Sequence, residues 1–136
     1  MSYLIDTDLL SLLERRRVPA KLTSWIRKHE EEIFLSVVSL AELQYGLECA
    51  PETHKASLAS WLSEVRQKLA PATEDLSEPV LVRWKALLAD LKAQKRTMTC
   101  EDSLIAATAL FHGHTVATRN TRHYEPACVP VFDPLA

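Results

Sequence analysis

Four carboxylates in this 136-residue chain stand where an apolar segment gives way to something else. YLIDTDLL (3–10) ends an apolar run on Asp6, adds Thr7 and Asp8, and resumes with leucines. SVVSLAEL (36–43) places Glu42 shortly after a second apolar run, and TCEDSLIAAT (99–108) places Asp102 at the head of a third. A carboxylate at the end of a buried segment loses part of its hydration, which is costly unless it is bonded or paired. Acids brought together repel one another unless a cation lies between them. Oxygen donors with no adjacent Cys or His pair suit Mg²⁺ or Mn²⁺ rather than zinc. Such an ion can activate a bound water toward a phosphate and offset the charge that grows on phosphoryl oxygens. The spacing therefore raises metal-dependent phosphodiester hydrolysis.

Each acid alone has a simpler explanation. Ser39-x-x-Glu42 and Thr99-x-x-Asp102 both fit a capping box, in which the acid serves only its own helix N-terminus. Asp6 or Asp8 can cap a helix beginning near residue 8. What separates a metal site from three caps is whether the acids meet.

The elements that must position them are short. SYLID reads as a strand ending at Asp6, and leucines at 9, 10, 12 and 13 mark a helix. Arg15, Arg16 and Arg17 are expected at its C-terminus, where the dipole favours cations. Pro19 opens a second helix with Leu22, Trp25 and Ile26 on one face, and IFLSVV (33–38) reads as a second strand. A third helix is expected from about Ser39 to Gly46 or beyond. Two longer helices carry Leu58 to Leu69 and Val80 to Leu91. SLIAATALFHG (103–113) is the most apolar helix, with Gly113 at its end. HTVATR gives a third strand, and CVPVFDP a last, Pro-flanked strand at a sheet edge. Strands separated by helices predict an α/β fold with a mainly parallel sheet, whose sites form at the carboxyl ends of strands.

The bulk properties fit one domain over 1–136. A net charge of −2 argues against an indiscriminately basic nucleic-acid coat. No apolar run is long enough to span a bilayer, and no signal peptide is visible, so a cytoplasmic location without membrane association is expected. Cys49, Cys100 and Cys128, odd in number and widely spread, read as buried free thiols. His112 and His114 read as surface residues at a turn. Arg119, Arg122 and His123 form a small basic cluster after a strand, suited to phosphate-backbone contact.

YLIDTDLLSLL, SVVSLAELQYGL, EDSLIAATAL and VATRNTRHY followed by VPVFDP together resemble, in order and over nearly the whole chain, the PIN-domain ribonucleases. The resemblance is to the VapC-type toxins of type II toxin–antitoxin pairs. It implies a three-layer α/β/α sandwich and Mg²⁺- or Mn²⁺-dependent endonucleolytic cleavage of structured, tRNA-like RNA. By matching position, Asp6, Glu42 and Asp102 are the core acids, with Asp6 and Asp102 as the main metal ligands and Asp8 auxiliary. Many relatives carry a further aspartate in the turn after the late strand. Here Asn120 offers a neutral oxygen and His123 stands where some relatives have Asp, which implies one firmly held ion and a second recruited by RNA. The resemblance also implies a homodimer and a cognate VapB-type antitoxin.

Two other readings stay open at this level. One is a catalytically weak PIN-like protein-interaction module whose acids only cap helices. The other is a haloacid dehalogenase-type phosphatase, whose opening strand also ends in Asp-x-Asp; here leucines follow the second Asp, and no convincing Lys motif is found.

Overall fold

The computed structural model describes residues 1–136. Five short strands form one parallel sheet in the order β3-β2-β1-β4-β5. β1 (Tyr3–Ile5) is central and wholly buried, and it pairs with β2 (Ile33–Ser36) and β4 (Thr115–Ala117). β3 (Thr73–Glu74) and β5 (Val131–Phe132) form the edges. The helices are α1 (Thr7–Ser11), α2 (Ala20–Lys28), α3 (Val37–Glu48), α4 (Glu52–Leu69), α5 (Glu78–Ala93) and α6 (Cys100–His112).

Side chains alternate across a strand, so a buried sheet feeds two cores. Tyr3, Ile5, Ile33, Leu35 and Ala117 join Leu9, Leu22, Trp25 and Val65 from α1, α2 and α4. Leu4 and Val116 point the other way and join Leu87 and Leu91 of α5 with Ile105, Ala106 and Ala109 of α6. This makes the three-layer α/β/α sandwich. The small residues of α6 let it lie close on the sheet, and five consecutive positions, Ile105–Ala109, are buried. Gly113 ends the helix at φ 75°, a left-handed conformation that glycine adopts without a Cβ penalty.

Several expectations need correction. The strands are shorter than their apolar runs, because helix begins as soon as an Ncap side chain is available: Asp6 ends β1 and Ser36 ends β2. α3 therefore starts at Val37, capped by Ser36, and Ser39 lies buried inside its first turn, so Ser39-x-x-Glu42 is not a capping box. β3 was not legible, since two residues of mixed polarity carry no period. Arg15, Arg16 and Arg17 do not lie in a helical last turn; they form an exposed bend after the 3₁₀ turn Leu12–Glu14. All three cysteines are exposed. His114 is buried, not at the surface: Ser2 Oγ lies 2.6 Å from its Nδ1, and its ring stacks on Phe34. Burial pushes the His114 pKa down, which keeps it neutral.

Candidate active site

The register of the central strands assembles the site. Ile5 pairs with Leu35 on one side and Ala117 on the other, so the next residues, Ser36, Asp6 and Thr118, form a row across the carboxyl ends. The Asp6 N–H donates to the Ala117 carbonyl at 3.0 Å, extending the ladder by one step. Asp6 is 4% exposed. Its Oδ1 accepts from the Leu9 N–H at 2.8 Å and caps α1, as the capping explanation requires. Its Oδ2 accepts from Thr118 Oγ1 at 2.5 Å, a bond between residues 112 apart in the chain. Burial pushes the Asp6 pKa up to about 6; the bonds from Thr118 and Leu9 oppose the rise, and the charges of Asp8 and Asp102 add to it.

Glu42 lies in the second turn of α3, beyond the reach of a cap. Its Oε1 accepts from Thr7 Oγ1 at 2.7 Å, and the same hydroxyl lies 2.9 Å from Ser39 Oγ, one helical turn earlier. Lost hydration at the carboxyl raises the Glu42 pKa even though the residue as a whole is exposed. The Thr7 bond opposes the rise, and Glu101, Asp102 and Asp8 add to it.

Asp102 occupies the third position of α6. Its backbone N–H donates to Thr99 Oγ1 at 3.1 Å, so the predicted cap is real. Its carboxylate is not spent on the helix end: Oδ1 accepts from the Tyr124 hydroxyl at 3.3 Å, and Oδ2 lies 3.6 Å from His123 Nδ1. Asp8 is exposed and accepts from Asn120 Nδ2 at 3.1 Å.

These residues enclose a cavity of about 240 Å³ lined by Asp6, Thr7, Asp8, Glu42, Thr99, Glu101, Asp102 and His123. None is apolar, five carry carboxylates, and no Lys or Arg is among them. Of the residues expected at the site, the fold thus gathers Asp6, Asp8, Glu42, Asp102 and His123 around one space, with Asn120 joined through Asp8. Arg119 and Arg122 are exposed in the same turn but do not line the cavity. Sequence reasoning missed Thr7, Glu101, Thr118 and Tyr124. Glu101 is legible in principle as a second acid in the first turn of α6; the others act across long separations and leave no local signature.

The donor set suits a hard divalent cation: apart from His123 it offers oxygen atoms, and one carboxylate, Asp6, is buried with a raised pKa and no basic partner. Mg²⁺ is commonly held by one or two carboxylates and keeps several waters, so it does not need all five acids as direct ligands.

A PIN domain family model matches residues 3–127, and the chain belongs to the PIN-domain family. It is 30% identical over 135 residues to the VapC ribonuclease Y4jK of Sinorhizobium fredii, covering 96% of this chain and 95% of that protein. It is 28% identical over 136 residues to Toxin FitB of Neisseria gonorrhoeae, covering 96% of each. Among solved structures it is similar to FitAcB from Neisseria gonorrhoeae, with a TM-score of 0.89, 29% identity and 98% of each chain covered. The likeness of IDTDLL to a phosphatase opening therefore ends with the motif. No helix is long and apolar enough to cross a membrane.

Proposed function

We propose that this chain is a VapC-type toxin: an endoribonuclease that depends on Mg²⁺ or Mn²⁺, cleaves structured, tRNA-like RNA, and is neutralised by a cognate VapB-type antitoxin. The observation that carries the reading is the cavity at the carboxyl ends of β1, β2 and β4, lined by five carboxylates and His123 with no Lys or Arg among them. Such a set is self-repelling until positive charge enters. The names of the similar proteins, a ribonuclease and a toxin, support the same class.

Asp6 and Asp102 would hold the cation. When bound, it would polarise the scissile phosphate and lower the pKa of a coordinated water. Thr118 and the Leu9 N–H fix the Asp6 carboxylate, so its oxygens need no reorientation when charge develops. Glu42, steered by Thr7, orients the attacking water and accepts its proton. Asp8 and Asn120 are auxiliary and bonded to each other; Asn120 contributes neutral polarity where a further acid would have deepened the repulsion. His123, exposed beside Asp102, faces the phosphate that is cut, and Arg119 and Arg122 contact the flanking backbone.

Residues 1–136 would act as one domain in the cytoplasm and pair as a homodimer. An apolar groove of about 580 Å³, lined by Ile5, Leu13, Ile26, Trp61 and Leu69 among others, supports the antitoxin as partner. It suits the apolar face of an amphipathic helix.

The test is cleavage of total tRNA by antitoxin-free protein with Mg²⁺ or Mn²⁺, against an EDTA control and Asp6→Asn with its fold checked by circular dichroism. Discrete, metal-requiring cuts that vanish in the folded variant are expected. An inert wild type that binds no metal would return the chain to the interaction-module reading.

A further inference from the structure

The turn after β4 was expected to add an acid or a substitute for one. Instead it serves the acids already present. Thr118 donates to Asp6, Asn120 to Asp8 and Tyr124 to Asp102, each through a side chain. Asn120 is half-buried, Thr118 has no exposed surface, and neither has Tyr124. Tyr124 lies in the 3₁₀ segment Thr121–Ala127, in the apolar core shared with Leu4, Ile105 and Val116. A tyrosine hydroxyl inside such a core must find a partner, and the partner found is a carboxylate.

We infer that Tyr124 is a positioning residue for Asp102: it anchors Oδ1 from the core side and leaves Oδ2 facing the cavity beside His123. Asp102 stands on the first turn of α6, where the Thr99 cap bonds its backbone N–H and not its carboxylate. The Tyr124 ring packs in the core and carries the hydroxyl to within 3.3 Å of that carboxylate. A partner that orients a ligand is typically worth about 10- to 100-fold in metal affinity or activity. Tyr124 cannot touch RNA, so its effect must pass entirely through Asp102. The inference rests on the nuclease reading of the site, yet its first test needs no RNA.

The experiment compares wild type and Tyr124→Phe, a change that keeps the ring and removes only the hydroxyl. Mn²⁺ alone is titrated by calorimetry into each folded protein, thermal unfolding is recorded, and kcat and KM are then measured on an RNA that the wild type cleaves. The expected result is a loss of about 10-fold in Mn²⁺ affinity. On RNA, kcat falls by a similar factor at saturating Mn²⁺ while KM for RNA stays unchanged. A variant that melts earlier but binds Mn²⁺ as tightly as wild type overturns the inference and makes Tyr124 a purely structural residue. A wild type that binds Mn²⁺ but cuts no RNA sinks the nuclease reading alone, and the Mn²⁺ titration still decides on Tyr124. A wild type that binds no Mn²⁺ overturns both.

Discussion

Ile5, the last residue of β1, and Asp6, the next residue in the chain, line two different cavities. Ile5 lines the apolar groove between α2, β2 and α4; Asp6 lines the acid cavity. The two regions are unfinished in opposite ways. The acid cavity has no apolar wall and no Lys or Arg, so it holds electrostatic energy that a cation or a phosphate-bound cation releases. The groove exposes apolar surface, with Arg27 and Lys68 on its rim against Glu30, Glu31 and Glu64, so a partner chain releases its cost instead. One strand end thus lies between an acid cavity and an apolar groove that do not share their physics. The comparison predicts that substitutions on one side leave the other largely intact.

The sharpest break comes from Asp6→Asn. With Asp6 in its proposed role as a cation ligand, the change should lower kcat/KM by roughly 100- to 1000-fold, the rate equivalent of several kcal/mol of lost transition-state stabilisation. The same change should stabilise the metal-free protein. The ordinary Asp value is 3.8 and the folded value about 6, so the fold holds an extra proton between these limits and stability falls as pH rises through that window. Above it, ionised Asp6 costs on the order of 3 kcal/mol. Metal-free Asp6→Asn should therefore melt higher than wild type near pH 7.5, and the gap should close below about pH 4 and on adding Mn²⁺ to the wild type. Mn²⁺ binding by the wild type should weaken as pH is lowered through about 6, where Asp6 of the metal-free protein takes up its proton.

Next in size is the groove. Trp61→Ala should weaken antitoxin binding by about 2–4 kcal/mol, as truncation of a central aromatic anchor does, and leave cleavage by the free protein unchanged. Calorimetry with the purified antitoxin and the tRNA assay read the two effects. A Trp61→Ala protein that loses cleavage instead would show that the regions are coupled.

A smaller effect is expected from Thr118→Val, which keeps shape and removes the donor to Asp6. Its bond lowers the Asp6 pKa, so the acid limb of Mn²⁺ binding should move to higher pH, with a loss of about 10-fold at neutral pH. An unshifted limb would show that burial alone governs Asp6. The mildest change is Arg122→Ala. It should raise KM a few-fold and reduce the salt dependence of RNA binding by about one phosphate contact, leaving kcat alone.

Much of this was legible in the chain. The acids fall at junctions, and a junction is a local event: an apolar run long enough to bury, followed by a residue able to cap the helix that leaves it. Asp6 after YLI and Thr99 three residues before Asp102 follow this rule, and both caps are formed. The rule also misled. Ser36 and Ser39 are equally good caps in sequence, and the register of β2 against β1 selected Ser36. HGH looked like a polar turn because the sequence does not show that His114 packs on Phe34, from a strand 80 residues earlier.

The sequence by itself determined the order of the helices and of every strand but β3, the presence of a parallel sheet, and that Asp6, Asp8, Glu42 and Asp102 stand at its carboxyl edge. Those follow from periodicity, caps and the right-handed β-α-β connection, all short-range. Only the tertiary structure decided what each carboxylate is bonded to. Thr118 reaches Asp6 and Asn120 reaches Asp8 across 112 residues, and Thr7 reaches Glu42 across 35. Such pairs exist because parallel register sets strand ends side by side, and register is fixed by the two apolar faces filling at once. Local spacing could place acids at an edge; the packing of both cores decides that Thr118 and Tyr124 hold them there.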